Sequence, residues 1–314
     1  MQETHTNKDS HNSVDEINLK EFFDVLIQGK WAILSMTSFL SIIGVVYSLL
    51  LPNIYESKAL LAPVNPSSGI SGALEGYSAI AGLAGINLPS VSDRGNSVKA
   101  LHKINSLSFF ENNILTNIYL PDLMAFKSWN PSTSKATYDE SIYDTTRNIW
   151  IRESYPKQQI PSAQESFEVF KLKHLSISED KKSGFITILI RHESPFVAKR
   201  WAELIVNEVN NFYRKKDKLE SEKAVTYLTK QISMTGLFEV KQVLAKLLEE
   251  ETKKLTLIEA NQSYVFDFID PPVVMEKKSE PKRAIICILI SLFGGMLSVI
   301  LVLFRHYFFS KKSL

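Results

Sequence analysis

Hydrophobic and polar positions along this chain follow three different periods, and the changes of period mark its elements. From Trp31 to Leu51, and again from Ala284 to Phe304, no charged residue interrupts an apolar run. About 20 such residues at ~1.5 Å rise cover the ~30 Å hydrocarbon thickness of a bilayer, so both runs are predicted as membrane-spanning helices. Ile54 to Ala62 alternates at period two, with Tyr55, Ser57, Ala59 and Leu61 on one face. Leu172 to Ser178 and Phe185 to Arg191 alternate as well and are joined by the polar turn Glu179 to Gly184, which predicts a hairpin with Ile186, Ile188 and Ile190 facing a core. Ser194 and Pro195 then stand at N-cap and first-turn positions and open a helical stretch, Phe196 to Gln262. Its apolar residues recur at spacings of three and four, the mark of helix packed on helix. Tyr264 to Ile269 reads as a last strand.

Chain geometry constrains the long stretch. Unbroken, it would run about 100 Å, yet its end must return for the last strand to pair beside the first. A reversal is therefore expected at Gly236, the only glycine in the stretch, acting as a C-terminal cap. The legs are unequal, and the surplus, roughly Phe196 to Phe212, is expected to pack on the strands through Trp201 and Leu204. The fold class is accordingly α+β: a membrane-proximal α/β base with a long helical hairpin, flanked by two transmembrane helices.

The other segments carry weaker signals. Met1 to Glu16 is polar without an apolar period and is expected to be disordered. Ile17 to Lys30 has helical amphipathic spacing suited to a membrane surface. Gly69, Gly72, Gly76, Gly82 and Gly85 suggest a mobile loop, with no lysine at phosphate-cradle spacing. Asn96 to Asn117 is expected to be helical, and Phe126 to Gln164 irregular, broken by Pro131, Pro156 and Pro161. The resulting division is 1–30 tail, 31–51 first span, 52–283 outer domain, 284–304 second span and 305–314 tail. Pro52 to Tyr55 after the first run offers no small-residue cleavage site, so an uncleaved signal anchor is expected.

Small residues stripe both spans. Ser35, Ser38, Ser41, Gly44 and Ser48 recur at three- or four-residue spacing in the first, a face either for packing or merely of serines bonded to their own helix. In the second, Ser291, Gly294, Gly295 and Ser298 offer two small-x-x-x-small pairs, Ser291 with Gly295 and Gly294 with Ser298. One pair is expected to meet Ser41, Gly44 and Ser48 and the other a neighbouring subunit or a partner. A proline-rich, basic approach precedes that span: Pro271, Pro272, Pro281, Lys282 and Arg283, the last two within reach of lipid phosphates.

Charge and composition narrow the function. A net charge of +2 without a basic cluster argues against nucleic acid as a partner. The single Cys287 lies in the second span, so no intrachain disulfide or thiolate metal site is available. No phosphate loop, nucleophile elbow or His-x-x-x-His pair occurs. His102, His174 and His192 lack ligand spacing, and Glu249 to Glu251 with Lys253 and Lys254 make a solvated face. No catalytic, cofactor-binding or metal residue is assigned, and an enzyme is not expected. Lysine and arginine flank both sides of the spans, giving only a slight vote for cytoplasmic termini.

Two terminal spans around a helical α+β domain resemble the Wzz chain-length determinants, the polysaccharide co-polymerases. The resemblance rests on Asn18-Leu19-Lys20-Glu21 before the first span, the stretch from Leu175 through Trp201, and Asp270 to Met296 with its Pro281-Lys282 and Gly294-Gly295-Met296. Met275, Ser298 and Val299 depart from the family pattern. The resemblance implies an inner-membrane protein with both termini cytoplasmic and a periplasmic domain, assembled as a ring-like homo-oligomer. It would set the modal length of a lipid-linked polysaccharide, O antigen above all, made by a separate O-antigen polymerase for lipopolysaccharide. The implied partners are that polymerase, the growing lipid-linked polysaccharide and membrane lipids. The kinase-bearing relatives carry a cytoplasmic nucleotide-binding domain; with only Arg305 to Leu314 after the second span, that branch is not expected. The alternative is a two-span periplasmic sensor or adaptor, which would need an output module.

Overall fold

The computed structural model describes residues 19–64, 94–153, 156, 158–261 and 263–309. The expected disordered tail and the glycine-rich loop at 69–85 lie outside them. In chain order, α1 (Leu19–Gln28) and α2 (Lys30–Leu50) lead to β1 (Tyr55–Pro63); α3 (Arg94–Ile104) and α4 (Ala163–Val169) precede β2 (Leu175–Glu179) and β3 (Ile186–His192). Then come α5 (Pro195–Met234), α6 (Phe238–Ala260), β4 (Phe266–Asp270) and α7 (Arg283–Phe309). Contacts divide the chain into two units, Asn53–Ser279 and the helices on either side of it.

The unit Asn53–Ser279 is built on an antiparallel sheet of order β2-β3-β1-β4. The first and last strands are neighbours, as chain geometry required, and the expected hairpin lies beside them. Tyr55 pairs with His192 and Leu61 with Ile186 along β1 and β3, while β1 shifts by a bulge at Leu60/Leu61 where it meets β4. Strict alternation puts Ala59, Leu61, Ile186, Ile188 and Ile190 on one fully buried face. The first half of α5 covers that face with Val197, Ala198, Trp201, Ala202, Ile205, Val206 and Val209, all buried. Pairs at i and i+4 make this ridge, and the two alanines let the helix lie close to the sheet. Leu204, beside Trp201, packs against the same core half-buried.

Further helical segments pack into the same core. α3 stops at Ile104 and a new turn starts because the Ser106 hydroxyl accepts the Phe109 amide, so the helical stretch expected over Asn96 to Asn117 is built of separate pieces. The chain then widens into the turn Phe110–Ile114, which buries Phe109, Phe110 and Ile114. Phe110 meets Phe167 and Phe170, and Phe170 meets Trp201 at 5.6 Å between ring centres. Residues 170–174 form a second wide helical turn, so β2 starts at Leu175 and not at Leu172. The segment expected to be irregular holds two small ribbons, Phe126–Asn130 with Lys135–Tyr138 and Tyr143–Asp144 with Ile149–Trp150. Each is too short for a period to show.

Beyond Tyr213, α5 leaves the sheet and pairs with α6. The reversal falls between Met234 and Phe238, with Gly236 at its middle. Its mechanism differs from the expected cap: Thr235 and Leu237 are extended, at ψ 126° and 122°, and Gly236 is not left-handed. A side chain at Gly236 would meet nothing within 4 Å. Near the sheet the two legs are tied by Lys218 to Glu259, by Arg214 donating to the Asn261 carbonyl at 2.8 Å, and by Tyr264 donating to Asp217 at 2.6 Å.

The second unit contains α1, α2 and α7. Lys30–Leu50 and Arg283–His306 are each long and apolar enough to cross a membrane, and most of their surface faces away from protein.

Candidate functional site

The chemistry-poor sequence directs attention to the seam between α2 and α7. A Cβ built on Gly44 would lie 2.8 Å from Ile290 Cγ2, and one on Gly294 3.1 Å from Leu40 Cβ, so both glycines are there because the helices touch. Between them the Ser41 and Ser291 hydroxyls stand 2.8 Å apart, and those of Thr37 and Ser298 3.3 Å. Ser48, Gly44, Gly294 and Ser298 are buried in the seam. Ser35 and Ser38, expected on the same stripe, are exposed; Thr37 takes their place.

The expected partition of the second span does not hold as drawn. Ser291, Gly294 and Ser298 share the face toward α2, at spacings of three and four. Gly295 lies at its edge, with only Thr37 Oγ1 at 4.0 Å from a built Cβ, and Met296 points away, exposed. Positions 100° apart on a helix cannot both face one partner, but residues at i, i+3 and i+7 can.

Arg283 is the residue whose role sequence reasoning misplaced. It opens α7, and instead of reaching outward its Nε donates to the Ser48 carbonyl at 3.1 Å and its Nη2 to that of Leu51 at 3.5 Å. These carbonyls end α2, where no intrahelical donor remains. Lys282 is exposed and Pro281 half-buried. In the other unit Pro271 is exposed and Pro272 buried, and the strand ends are pinned to one another. Ser57 Oγ donates to the Val273 carbonyl at 2.9 Å, the Ser279 amide to that of Ile54 at 2.8 Å, and Lys278 to Asn53 at 3.1 Å. Glu56 accepts from Arg191 at 2.8 Å. Burial raises that carboxyl, but hydrogen bonds from Arg191 and Ser279 and the nearby cations outweigh it, leaving the group below its ordinary value.

The unit Asn53–Ser279 also gathers a buried polar cluster. His192 accepts the Ser194 amide at Nδ1, 2.9 Å, so Nε2 carries the proton and donates to the Asp122 carbonyl at 2.9 Å. His174 Nδ1 lies 2.7 Å from the Arg191 carbonyl, and the two imidazoles stack at 5.4 Å beside Trp201. Burial pushes His174 down to about 4 and His192 to about 3, so both are neutral at neutral pH. The Asp122 carboxylate accepts from Tyr138 at 2.8 Å and pairs with Arg200 at 3.0 Å; burial nonetheless raises it, and Tyr138 rises in turn through burial and the Asp122 bond. Every partner here is a backbone group or a neighbouring side chain, and the cluster joins α5 to the ribbons as a brace. Asn210 is a second brace: its Oδ1 accepts the Val265 and Phe266 amides and its Nδ2 donates to the Phe266 carbonyl, all within 2.9 Å. Nothing in residue spacing signalled it. Among the described residues no group of three metal-ligating side chains comes together.

Comparison with known proteins gives one family match: residues 15–107 fit the model of the Wzz chain length determinant proteins. This interval holds Asn18 to Glu21, the first span and β1, so the resemblance read from the sequence is found again there; Leu175 to Trp201 and Asp270 to Met296 lie beyond it. No curated protein matches the chain. Among solved structures, one described as a full-length bacterial polysaccharide co-polymerase is 15% identical, with 95% of this chain and 100% of that chain covered and a TM-score of 0.43. Another, a fragment of WzzB, polysaccharide co-polymerase from Salmonella Typhimurium, is 13% identical, with 73% and 100% covered and a TM-score of 0.31.

Proposed function

We propose that this chain, whose residues 15–107 match the Wzz chain length determinant proteins, acts as one of them and sets the modal length of lipid-linked O antigen made by a separate polymerase. The family match carries the proposal. Two long apolar helices, one before and one after an α+β unit in the chain, support it, since such a protein must be anchored where lipid-linked sugar is assembled. On this reading the protein sits in the inner membrane, with cytoplasmic ends and 52–283 in the periplasm. Its role is non-catalytic: His174, His192, Asp122 and Tyr138 are committed to holding elements together.

The far end of the hairpin supports homo-oligomerisation. Leu237 and Phe238 are 65% and 75% exposed, and Val240, Val243 and Leu247 continue an apolar stripe on α6 turned from α5. An apolar stripe of this kind is the usual mark of a protein contact, and a ring of identical subunits would cover it. The polymerase and the growing polysaccharide are the further partners. Deleting the gene and comparing lipopolysaccharide ladders, with and without complementation, tests the proposal: loss of a preferred length, restored by the gene, is expected, and an unaltered ladder refutes it.

A further inference from the structure

We propose that Arg283 is a positioning residue that sets the axial register of the two spans by capping the end of α2 from the start of α7. The part of the inference that concerns chain length rests on the function proposed above.

The seam by itself distinguishes registers weakly. Inside lipid no hydrophobic force joins helices, so association depends on close contact and hydroxyl pairs. A slip of one helical turn, about 5.4 Å, still sets small residues against the partner helix, although it gives up the two hydroxyl pairs. Ser41 passes from Ser291 to Gly295, Gly44 from Ile290 to Gly294, and Leu40 from Gly294 to Ser298. Turn-sized shifts of one packed helix past another are a known mode of protein switching.

The end of a helix occurs only once, and Arg283 reads it. Antiparallel packing puts the start of α7 beside the close of α2. The guanidinium is poorly placed for its own helix, whose N-terminal end is already positive, and well placed for the negative end of its neighbour. α2 has no basic residue in its last turn, and the chain leaves it extended at Leu51, without a glycine cap. The cation that α2 lacks is supplied by α7, through two separate N–H groups that reach carbonyls three residues apart. After a one-turn slip outward these bonds are lost.

Cysteine pairs in the full-length protein, in bacterial membranes and with Cys287→Ser, report the register. Ser41→Cys with Ser291→Cys marks the observed alignment, and Ser41→Cys with Gly295→Cys the slipped one. On oxidation the first pair should form an intrachain disulfide and the second little. Arg283→Gln should lower the first yield at least threefold and raise the second, while Arg283→Lys, which keeps the charge but not the fork, should fall between. An unchanged first yield in the glutamine variant overturns the assignment. So does full restoration by lysine, since a point charge at lipid headgroups would then suffice. Polysaccharide ladders from the same strains separate the two claims. A shifted disulfide with an altered ladder supports both, and a shifted disulfide with a normal ladder removes only the link from register to chain length.

Discussion

The two halves of α5 are one continuous helix, yet they are stabilised by different physics. The half from Pro195 to Tyr213 is buried on the sheet, with Trp201 fully enclosed and Asn210 clamped to the backbone of β4. The half beyond it packs on α6, with Arg214 and Asp217 bonded to Asn261 and Tyr264 just past the end of α6, and of its apolar residues Leu228 alone is buried. At its far end Met234, Leu237 and Phe238 face away from protein. Helix propensity and i to i+4 ion pairs such as Lys216 with Glu220 hold such a segment only weakly. The near half is therefore held by its own core, and the far half is expected to depend on neighbours.

The largest effect that can break this contrast is Trp201→Ala, which empties the space between both histidines and Phe170. It should cost about 4 kcal/mol, read from denaturant unfolding of the unit 53–279. A loss under about 1 kcal/mol would mean that the near half is not the core.

Acid should come next. Exposed imidazole titrates near 6.5, whereas His174 and His192 are pushed down to about 4 and 3 by burial. Unfolding exposes them, so the unfolded chain binds more protons below about pH 6.5. The stability they contribute is fully present above that pH and declines as pH falls toward 4, by about 3 kcal/mol at pH 5.5 for the pair. Thermal unfolding of His174→Asn with His192→Asn should show a flatter decline over that window than the parent; equal slopes would remove the histidines from the account.

Asn210→Leu should cost about 3 kcal/mol, because two amides and a carbonyl lose their partners in a buried place. Hydrogen exchange should quicken along β4 before it does along β2. The far half should answer differently: Leu237→Ser with Phe238→Ser changes monomer stability by less than about 0.5 kcal/mol, yet should lower the assembly state in detergent on size-exclusion chromatography with light scattering. Smallest of all, Gly236→Ala should stabilise by roughly 0.5 kcal/mol, since the turn needs no left-handed residue and open space surrounds it. Marked destabilisation would restore the glycine cap.

What was legible in the sequence were the features with a period. The two long apolar helices, the alternation of Tyr55 to Leu61 and of Ile186 to Ile190, and the reversal near Gly236 follow from spacing and from the need of the chain to return. The features that escaped have no period. Asn210 lies in a helix among polar residues and looks like a surface amide until β4 arrives beside it. The ribbons at 126–150 have strands of two to five residues, shorter than any pattern. At the seam, composition named most of the residues but not which of the two pairs meets α2, nor that Ser291 joins Gly294 and Ser298 there, and it left Thr37 unnoticed. Arg283 was read by its charge, and only the arrival of α2 shows which negative end it serves.

The bond between the Ser279 amide and the Ile54 carbonyl means that the unit 53–279 begins and ends at one point. A body closed in this way can be exchanged as a cassette: it adds almost no loop-closure entropy to the chain that carries it, since the ends it must join already meet. Exchange between relatives at 53 and 279 can thus move the whole unit without asking the two long apolar helices to adapt, and each half of the protein can diverge at its own pace.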